Sequence, residues 1–301
     1  MTQSIILPAY AKLNLALRIT GRRQDGFHTL HTLFERIDLC DDLRFTATAT
    51  PEILISCDNP VVPVDSRNLV YKAAKLLQDE FGVRQGARIS IVKRIPVAAG
   101  LAGGSSNAAT ALMGLNRLWS LGLSNKDMLP FARQLGSDVA FFLYDIPWGI
   151  GTGRGDIIKP AAISSKLTHL LITPKVPVLT KDVYGIYASR FSGRSGAGGG
   201  VDFSLTKLDD AVTILICSLR KNDIIGAGAR LFNDLESSIL TLRPGLLRLK
   251  LRLQKSPVLG VAFSGSGPSI FAVTETQKDA ELLKERFART YRQVFVVKTR
   301  F

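Results

Sequence analysis

Cysteine is scarce in this chain: three residues in 301, Cys40, Cys57 and Cys217, widely spaced and without a Cys-x-x-Cys pair. That excludes a disulfide-stapled scaffold and the common zinc-site spacings, and a reducing cytoplasm is the setting expected. Histidine is equally scarce, and His28 and His31 form only an isolated His-x-x-His pair, which reads as surface or turn residues. No apolar run reaches the roughly 18 residues of a membrane span, and Met1 to Pro8 has neither the basic nor the apolar part of a signal peptide. A soluble, unexported protein with no membrane partner is expected. Acidic residues are also in deficit, 25 against 39 Lys and Arg, so the formal charge is +14. Such a charge admits nucleic acid as a partner, but the basic residues are scattered. The densest cluster, Arg243 to Lys255, alternates with leucine as a solvated amphipathic helix does, and no nucleic-acid reader motif accompanies it, so no nucleic-acid partner is expected.

Glycine, by contrast, is concentrated where it matters. Ile95 to Asn107 contains Gly100, Gly103 and Gly104, then Ser105 and Ser106, and runs directly into the apolar stretch Ala108 to Leu115. A glycine-rich loop that feeds a helix is a ready phosphate cradle, because main chain can approach the ligand and the helix start presents N–H groups and a positive dipole end. It is not a Walker loop, since no lysine follows Gly104, and its spacing is not that of a Rossmann loop. Read alone it is also an ordinary strand-to-helix turn whose serines cap the helix.

Periodicity outlines an α+β chain. Strands are expected at 5–7, 13–20, 32–39, 43–50, 53–57 and 89–95, and helices at 68–80, 107–119 and 124–135, with Ser124 and Asp127 forming a capping box. An apolar piece follows at 139–144, and then a turn-rich stretch, 149–155. The second half reads as strands at 169–174, 258–264, 269–274 and 293–298, and as helices at 181–189, 205–218, 234–242, 243–255 and 277–289. That pattern suggests a ferredoxin-like sandwich. Ser192 to Gly200 reads as a mobile surface loop.

Three further segments could carry chemistry. Lys12 and Asn14 have strand spacing, so both side chains project from one face. A lysine set among Ala and Leu can clamp a phosphate or favour an alkoxide; it can equally snorkel from a strand edge. Asp138 follows a Gly-Ser turn and precedes Val139 to Phe142. It suits a proton acceptor, or simply a cap. Gly265, Ser266 and Gly267 form a Gly-x-Gly turn between two strands.

Taken in order, these segments resemble the motifs of the GHMP kinase superfamily, and residues 21–34, 135–143 and 231–236 narrow the match to the branch that acts on a cytidine-diphosphate-linked methylerythritol. The resemblance implies a two-domain α+β fold, with a ribosomal-protein-like N-terminal domain (1–157), a ferredoxin-like α/β sandwich (158–301) and an active site in the cleft between them. It implies ATP and Mg²⁺, and phosphorylation of the 2-hydroxyl of that acceptor. Lys12 and Asp138 become the catalytic pair. Pro96, Ala98, Ala99, Gly100, Leu101, Ala102, Gly103, Gly104, Ser105 and Ser106 surround ATP. Asn14, Phe27, His28, Tyr184, Gly265, Ser266 and Gly267 meet the acceptor, with Phe27, His28 and Tyr184 at the cytosine. The metal ligands and oligomeric state stay open. Three departures from the family pattern stand out: Phe27 where tyrosine is commoner, Ala98 and Ala102 where glycine is frequent, and Asn107 where aspartate also occurs. Mevalonate or homoserine kinases, a basic nucleic-acid-binding protein and a catalytically silent member are the competing readings.

Overall fold

The computed structural model describes residues 4–192 and 205–301; most of the glycine- and serine-rich stretch at 192–200 lies outside them. The chain forms two compact units, each discontinuous in sequence. One comprises residues 1–11, 38–97 and 102–146, and the other 12–37, 98–101 and 147–301. Two long strands, β1 (Ser4–Arg22) and β2 (His28–Thr48), contribute to both. Each was expected as two shorter strands. Buried residues continue across the expected breaks, with Ala11 and Leu13 in β1 and Ile37 and Leu43 in β2 wholly inaccessible, so the chain gains by staying extended.

In the first unit the far half of β2 pairs antiparallel with β4 (Gly86–Val92), which pairs in parallel with β3 (Ile53–Cys57). Four helices accompany this sheet: α1 (Leu69–Phe81), α2 (Gly103–Leu118), α3 (Asn125–Leu135) and α4 (Val139–Leu143). The end of α1 is written in its sequence. Asn68 accepts a hydrogen bond from the Val70 N–H at 2.9 Å, and Gly82 closes the helix in the left-handed region at φ 61°. The capping box of Ser124 and Asp127 opens α3, as read from the sequence. The strand expected at 89–95 ends instead at Val92, because the N–H groups of Arg94 and Ile95 turn aside to the carboxylate of Asp41. Helix α2 begins four residues earlier than its apolar run suggested, since packing of Gly103 and Ser106 overrides the weak helix propensity of glycine.

The second unit holds two sheets. One has the strand order β6-β5-β2-β1-β8, with β5 (Trp148–Thr152), β6 (Ile157–Pro160) and the two-residue β8 (Phe232–Asn233). Strand β5 occupies the stretch read as turns. Its Gly149 and Gly151 lie opposite Phe34 and Thr32 of β2, and at Gly151 the side chains of both fill the space that glycine leaves. The other sheet is antiparallel, with the order β11-β7-β10-β9, built from β7 (Thr168–Ile172), β9 (Gly260–Phe263), β10 (Ile270–Thr274) and β11 (Val294–Lys298). Sequential strands in the spatial order 4-1-3-2 are the ferredoxin-like arrangement expected. Its helices are α5 (Thr180–Ser192), α6 (Leu205–Arg220), the short α7 (Ile224–Gly228), α8 (Glu236–Leu242), α9 (Leu246–Gln254) and α10 (Gln277–Ala288). Their core is an apolar cluster that includes Leu170, Ile172, Leu249, Phe263 and Phe287.

Candidate active site

In the first unit the site begins at α2. Four described helices of this fold, α1, α3, α7 and α10, have a first-turn N–H capped by a side chain; α2 does not. Its N-cap is Ala102, held at φ 53°, and Gly103, Gly104 and Ser105 follow, none of them bulky. Serine capping, the ordinary reading of this loop, is therefore not what the serines do. Gly104 is exposed and Ser105 half-buried, whereas Ser106 is buried and its hydroxyl has no hydrogen-bond partner. An uncapped helix start has orphan donors and the positive end of the helix dipole, the features that hold a phosphate. Pro96 is buried just upstream.

Asp138 belongs to the same unit, at the residue that leads into α4, which lies against α2 and α3. It stands in the N-cap position, yet its side chain makes no capping hydrogen bond. Its half-buried carboxylate is thus not spent on closing the helix.

Lys12, Asn14 and the loop residues 98–101 lie in the second unit. As strand spacing requires, Lys12 and Asn14 share a face of β1, and the Lys12 ammonium donates to Asn14 Oδ1 at 2.5 Å. The snorkelling alternative is excluded, since Lys12 is 3% exposed and its ammonium lies 5.2 Å from the centre of the Phe34 ring. Asn14 is locked in turn: its Nδ2 donates to Thr32 Oγ1 at 2.8 Å, and Thr32 donates to the Ala16 carbonyl at 2.6 Å. A buried polar chain satisfied at each link holds one orientation.

The Gly-x-Gly turn packs against this pair. A Cβ at Gly265 would lie 3.3 Å from Asn14 Oδ1 and 3.6 Å from Lys12 Nζ. Ser264 accepts the Asn14 N–H at 3.3 Å and donates to the Gly100 carbonyl at 2.9 Å. Gly100 sits at φ 74°, and a Cβ there would fall 2.2 Å from the Ser264 carbonyl, so glycine is required. The Leu101 carbonyl accepts the Lys12 N–H at 3.2 Å, and that of Ala99 accepts the Ser269 N–H at 3.3 Å. Ala98 also adopts φ 53°, so both alanines of the loop take up the left-handed backbone despite their methyl groups. Such a conformation costs about 1–2 kcal/mol at a non-glycine residue.

The aromatic residues form a separate group in this unit. Residues 23–27 turn between β1 and β2, and Phe27, whose carbonyl closes the turn by accepting the Arg23 N–H, is 55% exposed, with the Arg154 guanidinium 5.3 Å from its ring centre. His28 and His31 are half-buried on β2 rather than in a turn. The His28 ring lies 5.3 Å from Tyr184 and meets Tyr187 edge-on at 5.9 Å. Burial, and then the charge of Arg22, push the His28 imidazole below its ordinary pKa, so it is neutral at pH 7 and carries one donor and one acceptor. Ser266 shares a hydrogen bond with Thr180 of α5 at 2.9 Å.

Several residues escaped the sequence reading. Asn233 donates from Nδ2 to the carbonyls of Phe263 and Gly265, and so buttresses the Gly-x-Gly turn. Tyr187, its hydroxyl pushed up to about 12 mainly by burial, completes the surroundings of His28. Thr32 and Ser264 fix Asn14. Only the Leu231 to Glu236 motif pointed to any of them. Gly267 is buried beside Ile239 of α8.

Two family models match the chain, the GHMP kinases N terminal domain at residues 68–145 and the GHMP kinases C terminal domain at 215–293. A protein of Exiguobacterium sibiricum named 4-diphosphocytidyl-2-C-methyl-D-erythritol kinase is 36% identical over 295 residues, 98% of each chain. One of the same name from Shouchella clausii is 38% identical over 272 residues, 90% of this chain and 86% of the relative. A crystal structure of 4-(cytidine 5'-diphospho)-2C-methyl-D-erythritol kinase superposes with a TM-score of 0.78 at 30% identity, covering 98% of both chains. The uncapped glycine-rich helix start, the paired Lys12 and Asn14 and full-length similarity at this level coincide in one chain, which belongs to the GHMP kinases and, among them, to the 4-diphosphocytidyl-2-C-methyl-D-erythritol kinase family of small-molecule kinases.

Proposed function

We propose that this chain transfers the γ-phosphoryl group of ATP to the 2-hydroxyl of 4-diphosphocytidyl-2-C-methyl-D-erythritol, in the cytoplasm, on the non-mevalonate route to isoprenoid precursors. The observation that carries this reading is the uncapped, small-residue start of α2. Asp138 takes the hydroxyl proton as the acceptor oxygen bonds to the γ-phosphorus, the bond from that phosphorus to the β,γ-bridging oxygen breaks, and ADP leaves. Lys12, buried and aimed by Asn14, stabilises the negative charge that develops on the acceptor oxygen. Residues 96–106 face ATP, with the main-chain donors of Gly103 to Ser105 toward its phosphates. Phe27 and Tyr184 stack on the cytosine, and neutral His28 pairs with its polar edge, while Gly265, Ser266 and Gly267 border the acceptor.

Mg²⁺ characteristically binds through one or two carboxylates plus substrate phosphates. Asp138 and the buried hydroxyl of Ser106, which has no hydrogen-bond partner, would hold the ion, and the ion would neutralise phosphate charge. The boundary between the two family domains is placed at 157/158, between matches that end at 145 and begin at 215.

A coupled assay over a panel of acceptors tests the reading, with ATP consumption expected for the cytidine-bearing methylerythritol. Preference for mevalonate or homoserine would overturn it. Asp138→Asn is expected to lower kcat by about 100-fold or more, since a positioned base contributes roughly 10²–10⁴, with both substrates still bound. Unchanged turnover in that variant would remove the base assignment.

A further inference from the structure

A buried charge network stands at the foot of α2. Asp41 of β2 is completely inaccessible, yet its carboxylate accepts four hydrogen bonds. Oδ1 takes the Arg94 and Ile95 N–H groups at 2.7 and 2.8 Å; Oδ2 takes the Lys93 ammonium at 2.6 Å and Asn107 Nδ2 at 2.8 Å. Lys93, its side chain 5% exposed, also donates to the Ile95 carbonyl at 2.7 Å. One side chain thereby ties the segment that leaves β4 for the glycine loop to the first turns of α2. The first residue of that helix rests directly on the network. A Cβ at Gly103 would lie 2.9 Å from Ile95 Cγ2 and 3.0 Å from Lys93 Nζ.

Main-chain donors stabilise an anion only when they are already aimed, because reorienting them on binding costs what the contact returns. A carboxylate behind a helix start would also repel a phosphate in front of it. Here Lys93 cancels that charge, so Asp41 can organise the helix start without opposing its ligand. We infer that Asp41 is a positioning residue for nucleotide binding, acting through Lys93 and Asn107 on the main-chain donors of Gly103 to Ser105. The inference rests on the reading that these donors face ATP phosphates.

The test is calorimetric titration of the full chain with ATP and, separately, with the cytidine-bearing acceptor. Asp41→Asn keeps an acceptor for the Arg94 and Ile95 N–H groups but turns an amide donor toward Lys93 and Asn107. It is expected to weaken ATP binding about tenfold, the scale of losing well-made buried hydrogen bonds, and to leave acceptor binding unchanged. Asn107→Ala, which keeps the Asp41–Lys93 pair, is expected to weaken ATP binding about threefold with the acceptor again unaffected, and it decides the question if the first variant does not fold. ATP affinity in Asn107→Ala within experimental error of the parent, or parallel loss of both ligands, overturns the inference. Ser105→Glu separates the two claims. A carboxylate in the first turn should abolish ATP binding; if it does not, the phosphate reading of α2 itself falls, and this inference with it.

Discussion

The two units hold their share of the chemistry in opposite ways. Around the start of α2, side chains are absent or small and the working groups are main-chain N–H donors, supported from behind by Asp41, Lys93 and Asn107. In the other unit, where Lys12, Asn14, His28, Tyr184 and Tyr187 lie, side chains predominate, and each is held by another side chain. The difference follows from the ligands proposed for them. A phosphate is nearly spherical and always anionic, so backbone donors in a fixed array suffice. A base edge and a single hydroxyl among several can be told apart only by groups of defined shape, charge and tautomer.

Three changes would sharpen or break this contrast. The largest effect is expected from Lys12→Ala. Loss of the buried ammonium removes charge stabilisation at the reacting oxygen, and kcat should fall about 100-fold or more while ATP affinity, assigned to main chain elsewhere, stays put. A fall in ATP affinity as large as that in kcat would show that Lys12 binds phosphate and would erase the division.

An intermediate effect is expected from His28→Ala, which should raise KM for the cytidine-bearing acceptor roughly tenfold, the value of one lost hydrogen bond to a neutral partner plus ring contact, with KM for ATP unchanged. The same residue sets a pH dependence. Its pKa is depressed in the folded protein, so the folded state binds fewer protons than the unfolded one. Its contribution to stability is present above the ordinary imidazole value of about 6.5 and is lost as pH falls through the lower, folded value. Acceptor affinity, a property of the folded protein, should therefore stay level from neutral pH down past the ordinary imidazole value and decline only as pH falls through the lower, folded value. Fluorescence titration with the acceptor across that range checks the sign, and a rise on acidification would mean that the imidazolium is the binding form.

The smallest effect concerns the backbone. Ala102→Gly relieves a left-handed alanine but loosens the unfolded chain, terms of about 1–2 and about 0.4–1 kcal/mol that largely offset. A gain below about 1 kcal/mol by chemical denaturation is expected, with little change in ATP affinity, because Gly103 to Ser106 keep their packing. A large loss of ATP affinity would mean that the methyl group itself holds the loop.

What was legible in the sequence was local. The box of Ser124 and Asp127 and the alternation that put Lys12 beside Asn14 act over two or three residues, and each is realised as read. Strand β5 was not legible, because its pairing with β2 and the filling of the space at Gly151 by Phe34 and Thr32 come from residues more than a hundred positions away in the chain. Nor was the end of β4, which depends on a carboxylate some fifty residues upstream.

By itself the sequence determined the order of the longer helices, the strands of the ferredoxin-like half and the candidate groups for chemistry, since hydrophobic period, caps and glycine placement are short-range properties of the chain. Only the tertiary structure decided which of those groups are prepared for work. It buried Lys12 and aimed it with Asn14, left the start of α2 uncapped, held Ala98 and Ala102 in left-handed backbone, and set Asp41 beneath the helix. Each of these depends on partners distant in sequence, and a buried polar group takes its orientation from whichever partner satisfies it.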